Sequence, residues 1–338
     1  MSGIKLSVLD QSPVRKGGTA AQALLETTEL AKFTEKLGYT RFWVSEHHNT
    51  ASLAGSSPEV LIAHLANQTN RIKLGSGGVM LPNHSALKVA ENFRLLETLF
   101  PGRIDLGMGR APGTDRYTAS LLNPSNTFNE NDFTQQLVDL THYLNDGITG
   151  PNLTKIKAAP LAQTVPELWL LSSSGQSGVF AAHFGMGFSF AHFINPNGGA
   201  KMMKLYREHF QPSEHLKEPK ANVAIFVMVA DTEEKAQQLQ AVMDVQMLKI
   251  EKGVREGILP YEEIKDQQFT EEEKERIDYN RKRMISGTPA QVKPRLEKLA
   301  QEYGIDEIIA VTITHDFADR LRSYELLAEM FELQPQEV

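Results

Sequence analysis

Residues 103–114 read RIDLGMGRAPGT, and this stretch decides the fold. Ile104, Leu106 and Met108 alternate with Asp105, Gly107 and Gly109. A period of two marks a strand with two distinct faces. The apolar set is expected to face a helical layer, and the small set an interior with room for a ligand. Arg110 follows the last strand residue, where a guanidinium suits a phosphate, although a surface ion pair would use such a residue equally well. Gly107, Gly109 and Gly113 give G-x-G-x-x-x-G, one residue too long for a dinucleotide fingerprint.

Working outward, four more β-like runs end in residues of similar promise. Trp43–Ser45 precedes His47, and Ile72–Leu74 precedes Gly77-Gly78. Leu168–Leu171 precedes Ser173-Ser174, and Phe188–Phe190 precedes His192. Functional residues recurring at strand C-termini are the mark of a (β/α)8 barrel, whose active site is built there.

The rest of the chain supplies the remaining units. Leu6–Leu9 begins the series, Val223–Ala230 is the seventh run and Asp306–Thr312 the eighth. Between them lie amphipathic patterns: Ala23, Leu30 and Leu37; Val89, Phe93, Leu96 and Phe100; Leu321, Tyr324, Ala328 and Phe331. Ser57-Pro58 reads as an N-cap followed by Pro in the first turn. A polar, Asn-rich stretch after residue 111 leads to a helix over 132–143 and a turn at Gly147–Pro151. Alternating βα units imply a parallel sheet, and about eight of them imply closure into a TIM barrel. One domain spanning residues 1–338 is therefore expected, with a helical insertion over about 231–285, between the seventh and eighth strands, covering the barrel mouth. The last barrel helix opens on the capping box Thr288-Pro289-Ala290-Gln291. Pro294 lies inside that helix and is expected to kink it or remove a hydrogen bond.

Composition narrows the function. The 338 residues carry a net charge of -7, which argues against a nucleic-acid binder. With no cysteine, disulfides, thiolate metal sites and cysteine nucleophiles are excluded. No membrane-length apolar run or secretory leader is evident, so the cytoplasm is the expected compartment.

The segment GSGGVMLPNHS, residues 75–85, places glycines where a strand should end in bulky residues. Such glycines admit close approach to a flat ligand, or else form a bulge or tight turn. In LSSSGQSGVFAAHFG, residues 171–185, hydroxylated residues and Gly175 precede an Ala-rich helix. That is a cradle for an anion, or an ordinary Ser-capped helix start. In WVSEHHNT, residues 43–50, Trp43, Ser45 and His47 fall on the interior side, and neighbouring His48 points away. His47 and His192 could serve chemistry or be buried hydrogen-bonded histidines. Neither a zinc H-E-x-x-H motif nor a G-x-S-x-G elbow is present.

Taken together, WVSEHHN, LGSGGVMLPNHS, GRIDLGMGRAPG, WLLSSSG and SGTPAQV resemble the bacterial luciferase-like flavin monooxygenases, in particular the single-chain bacterial members of unassigned substrate. The resemblance runs from about residue 4 to residue 331. It implies FMN, used reduced with O2 to oxygenate a small organic substrate through a C4a-(hydro)peroxyflavin. It implies a cis peptide at Gly77-Gly78 under the flavin ring, and Arg110 on the flavin phosphate. Ser173, Ser174, Gly175 and Ser177 match the phosphate loop; Ser173 stands where the family often carries an acid. His47 matches the catalytic histidine, and His192 is placed with the cofactor-binding residues. A homodimer formed through helices near the second and third strands is implied, as is a separate reductase supplying reduced FMN. No metal is expected. The alternatives are an F420-dependent oxidoreductase, a non-catalytic flavin- or acyl-binding protein, and a metal-dependent hydrolase using His47, His84 and His192.

Overall fold

The computed structural model describes residues 3–145 and 156–334, and the turn expected at 147–151 lies outside them. The alternation of residues 104–109 divides the protein into two cores. Ile104, Leu106 and Met108 join Phe42 and Val44 in a large apolar cluster between sheet and helices. The opposite faces of the strands contribute Leu9, Trp43, Trp169 and Phe226 to a second cluster inside the sheet.

The strands are β1 (Lys5–Asp10), β2 (Arg41–Val44), β3 (Lys73–Ser76), β4 (Val79–Met80), β5 (Ile104–Gly109), β6 (Glu167–Ser172), β7 (Gly187–Ala191), β8 (Ala221–Val229), β9 (Met284–Gly287) and β10 (Glu307–Val311). β1, β2, β3, β5, β6, β7, β8 and β10 neighbour one another in that order, and β10 pairs with both β1 and β8. All these pairings are parallel. The sheet is therefore a closed eight-stranded barrel, the (β/α)8 architecture expected. β4 is a short continuation beyond β3 that pairs with the end of β5.

The helices are α1 (Ala20–Lys36), α2 (Pro58–Gln68), α3 (Ala86–Leu99), α4 (Arg116–Leu122), α5 (Glu130–Asn145), α6 (Gln176–Phe184), α7 (Gly199–Glu208), α8 (Glu233–Glu251), α9 (Tyr261–Ile264), α10 (Glu271–Arg281), α11 (Pro289–Tyr303) and α12 (Phe317–Met330). Three local expectations change. Ser57 occupies the N-cap of α2, but its side chain makes no capping hydrogen bond. The Asn-rich stretch after residue 111 holds the short helix α4. α11 runs unbroken through Pro294 behind its Thr288–Gln291 capping box. Pro294 is exposed, and the carbonyl that loses its partner belongs to exposed Ala290, where water can serve it.

The 231–287 segment holds α8, α9 and α10, and ends in a strand no periodicity announced. β9 pairs with β8 from Phe226–Met284 to Val229–Gly287. Ala224 accepts from the backbone of Phe193 just past β7, and Phe226 donates to Arg283 on the same side of β8. β9 thus prolongs the edge where β7 ends and carries residue 283 to the barrel mouth.

At the other end, the barrel floor is ionic. Arg41 Nε lies 2.6 Å from Glu307 Oε1 and its Nη1 lies 2.6 Å from Asp105 Oδ2. Trp43 Nε1 donates to the same Asp105 oxygen at 2.9 Å, and Ser7 donates to Glu307 at 2.6 Å. Above this layer, Trp43 and Trp169 meet edge to face, centroids 5.5 Å apart, and close the barrel from below.

Candidate active site at the open end of the barrel

A cavity of about 760 Å³ opens over Trp43, lined by the ends of the strands and by α8. Its size falls within the roughly 300–1,000 Å³ of small-molecule sites. His47, Gly77, Gly78, Arg110, Ser173, Ser174 and Ser177 all line it. They come from the ends of β2, β3, β5 and β6 and the start of α6, which are successive neighbours around the barrel.

His47 is held by its own strand end. Its backbone N–H donates to Gly55 O at 2.9 Å, and its Nδ1 lies 3.1 Å from Ser45 Oγ. Nε2 has no partner among the described residues and is the nitrogen left for the cavity. Burial pushes the imidazole down to about 4, against the pull of Glu46. At pH 7 the ring is uncharged.

Glu46, next to His47, is fully buried. Its carboxylate lies 2.8 Å from His48 Nε2 and 2.9 Å from His84 Nε2. It also accepts from Asn83 Nδ2 at 3.1 Å and from the Met80 backbone N–H at 2.9 Å. The end of β2 is thereby tied to the segment after β4. The available signal was a carboxylate where strand alternation calls for an apolar residue. Burial opposes ionisation of Glu46, but hydrogen bonds from His48 and His84 outweigh it and hold the group at about 2. Burial likewise opposes charge on His84, and Glu46 overrides it, raising the imidazole above its usual 6.5. The depressed carboxylate contributes stability above its ordinary 4.5, and the raised imidazole does so below 6.5. The pair is therefore worth most between those values. Glu46→Gln should cost more stability near about pH 5.5 than near about pH 8.5, read from urea unfolding at each pH. An equal loss at both would refute the linkage.

The peptide joining Gly77 to Gly78 is cis. A Cβ at Gly77 would stand 2.7 Å from Leu9 Cδ1 and 3.0 Å from Trp43 Cβ; one at Gly78 would stand 2.9 Å from Gly107 O. Only glycine fits both positions, and the result is a wall of bare backbone. Beside it, Arg110 Nη1 lies 2.5 Å from Gln176 Oε1 at the start of α6. The serine loop is braced from within and from the side: Ser172 Oγ donates to Ser174 O at 2.8 Å, and Asn195 Nδ2 donates to Ser173 O at 2.9 Å.

Two expected residues are elsewhere. His192 does not line the cavity. Its Nδ1 meets Tyr303 Oη at 2.8 Å and its Nε2 meets Lys282 O at 2.9 Å, so both nitrogens are spent on packing α11 and β9 against β7. Gly175 caps α6 with ordinary right-handed dihedrals, packed against Met202, and does not line the cavity either. His84 is engaged by Glu46, and no cluster of three His, Cys, Asp or Glu able to hold a metal ion occurs among the described residues. No helix among them is long and apolar enough to cross a membrane.

The roof comes from α8. Met243, Gln246, Met247 and Ile250 sit at i, i+3, i+4 and i+7, one stripe facing the cavity. Behind the stripe, Arg255 Nη1 reaches the Asn49 carbonyl at 2.6 Å and Lys16 pairs with Glu263, which anchors the roof to loops after β2 and β1.

The fold and cavity define a barrel with a ligand site at its C-terminal rim. Residues 4–307 match the luciferase-like monooxygenase family, and the chain belongs to it. Protein YwcH of Bacillus subtilis (strain 168) is 52% identical, the match covering 97% of this chain and 99% of that one. The N-acetyl-S-alkylcysteine monooxygenase of the same organism is 36% identical, covering 96% of this chain and 98% of that one. The crystal structure of apo-MsnO8 superposes with a TM-score of 0.91 at 37% identity, covering 99% of both chains.

Proposed function

We propose that the protein is a flavin-dependent monooxygenase that takes FMN in reduced form and oxygenates a small organic substrate. One observation carries this reading. A bare Gly77-Gly78 wall lies between a cation-and-hydroxyl nest and a neutral imidazole on four successive strand ends. The residues fit FMN. A flat ring can lie on backbone that presents no side chain, and its phosphate suits Arg110 with Ser173, Ser174 and Ser177 at the N-terminus of α6. Bound in reduced form, FMN supplies the two electrons that divide O2 between the substrate and water.

The chain's own residues do the rest. Gly77 and Gly78 position the ring, and Arg110 with the serine loop fixes the phosphate end. Trp43 and the α8 stripe keep water from the reacting face. His47 Nε2 accepts or returns a proton beside that face, its ring held through Nδ1 by Ser45. A separate flavin reductase is the proposed source of reduced FMN. A homodimer through α2 and α3 agrees with the exposed apolar residues Val60, Leu95 and Leu99 on those helices.

The test is binding. Arg110→Ala should weaken FMN about 10- to 100-fold by calorimetry while leaving riboflavin, which lacks the phosphate, nearly unchanged. Equal weakening of both would remove Arg110 from phosphate recognition. Oxygen transfer itself is read by mass spectrometry, as label from 18O2 entering N-acetyl-S-alkylcysteines and other thioethers.

A further inference from the structure

The site contains a cation that neither the fold nor the proposed flavin contacts account for. Arg283, at the head of β9, lines the cavity with its side chain only 12% exposed. It makes no side-chain hydrogen bond among the described residues, and its Nε is buried without a partner. Its one carboxylate neighbour is Glu251, 3.5 Å from Nη2. Glu251 is already taken. Arg276 holds it through Nε at 2.7 Å and Nη2 at 2.6 Å, and Asn280 adds a third hydrogen bond at 3.2 Å. The Tyr279 ring, 5.3 Å away, is the only other support among the described residues. A guanidinium has five donors, and leaving the buried Nε–H unmet is costly.

The charges around the cavity point the same way. Arg110, Arg255 and Arg283 line it, and the one lining carboxylate among the described residues, Glu46, is consumed by His48 and His84. Arg110 has Gln176 and Arg255 has a backbone carbonyl, but Arg283 has neither. Its neighbour Glu251 directly follows Ile250, so Arg283 stands at one end of the α8 stripe that begins at Met243. Seven residues of helix make that stripe about 10 Å long.

We infer that Arg283 is the anchor for an acid group on the substrate, and that the substrate is an amphiphilic carboxylate whose apolar body lies along Met243, Met247 and Ile250. The inference builds on the proposed monooxygenase function by naming its substrate class. Met side chains adapt to apolar shapes, and a planar guanidinium pairs with a carboxylate through two parallel hydrogen bonds.

The probes are (octylthio)acetate and its methyl ester, titrated calorimetrically into the apoprotein and into the FMN-loaded protein. The acid should bind about tenfold or more tightly than the ester. Arg283→Met should abolish that preference, Arg283→Lys should retain part of it, and both should leave the FMN affinity unchanged. Thermal unfolding of the variants checks that they fold. Equal binding of acid and ester, no binding of the acid, or a preference that survives in Arg283→Met overturns the inference. So does a loss of FMN but not riboflavin affinity in Arg283→Met, which assigns the residue to the flavin phosphate. Because the preference is also read in apoprotein, a failure of FMN to bind would sink the proposed function separately.

Discussion

His47→Ala should retain FMN binding and lose oxygenation by about 10²- to 10⁴-fold, the usual worth of a positioned acid–base group. The imidazole is hydrogen-bonded to Ser45 and Arg110 to Gln176, so the proposed phosphate contacts do not depend on His47. What is lost is Nε2, the nitrogen left to face the cavity. The measurement is single-turnover product formation from pre-reduced FMN, paired with a calorimetric FMN titration. Unchanged turnover would remove His47 from the chemistry; a parallel loss of FMN would make it a binding residue instead. The pH dependence follows from burial. With the folded imidazole near 4, His47 is already neutral throughout the physiological range, and protonation disables it only as pH falls toward that value. The native rate should therefore show no His47-dependent inflection near the ordinary histidine value of 6.5.

Arg41→Met should destabilise the native state by about 3–5 kcal/mol at pH 7. The methionine fills much the same space, so the loss is electrostatic. Glu307 and Asp105 would face each other in the barrel floor without the cation that joins them at 2.6 Å on either side. Both acids are essentially inaccessible to water. Lys73 Nζ stands 3.8 Å from Asp105 but is held more closely by Glu167, at 2.7 Å. Denaturant unfolding monitored by tryptophan fluorescence reports the change, because Trp43 hydrogen-bonds the same Asp105. Adding Glu307→Gln to Arg41→Met should recover part of the loss, since coupled neighbours are not additive. A single variant within about 1 kcal/mol of the native protein would show the floor to be dispensable.

The two predictions draw on different layers of information. The barrel was legible because strand alternation is written in the chain. Ile104, Leu106 and Met108 against Asp105, Gly107 and Gly109 stated which face meets the helices, and β5 obeys that pattern. His47, the Gly77-Gly78 pair, Arg110 and the serine run were legible for a related reason, since each stands just past a strand end. His192 stands in the same kind of place yet is spent on Tyr303 and Lys282. No local pattern separates it from His47, because the difference lies in partners 90 and 111 residues away.

The unread parts share that character. Glu46 is set apart from an ordinary acid by the convergence of His48, His84 and Asn83 on its carboxylate. β9 is too short to announce itself and exists because β7 leaves an edge of β8 free. Arg283 became a cavity residue only once that strand was in place. Periodicity and chain order are enough to specify the barrel, the inward and outward faces of its strands and the rim positions proposed to carry the chemistry. Folding in three dimensions settled which histidine is left facing the cavity, the charge state of that histidine and which cavity arginine makes no side-chain hydrogen bond. Burial and hydrogen-bond satisfaction belong to groups far apart in the chain, and only the closed barrel brings those groups together.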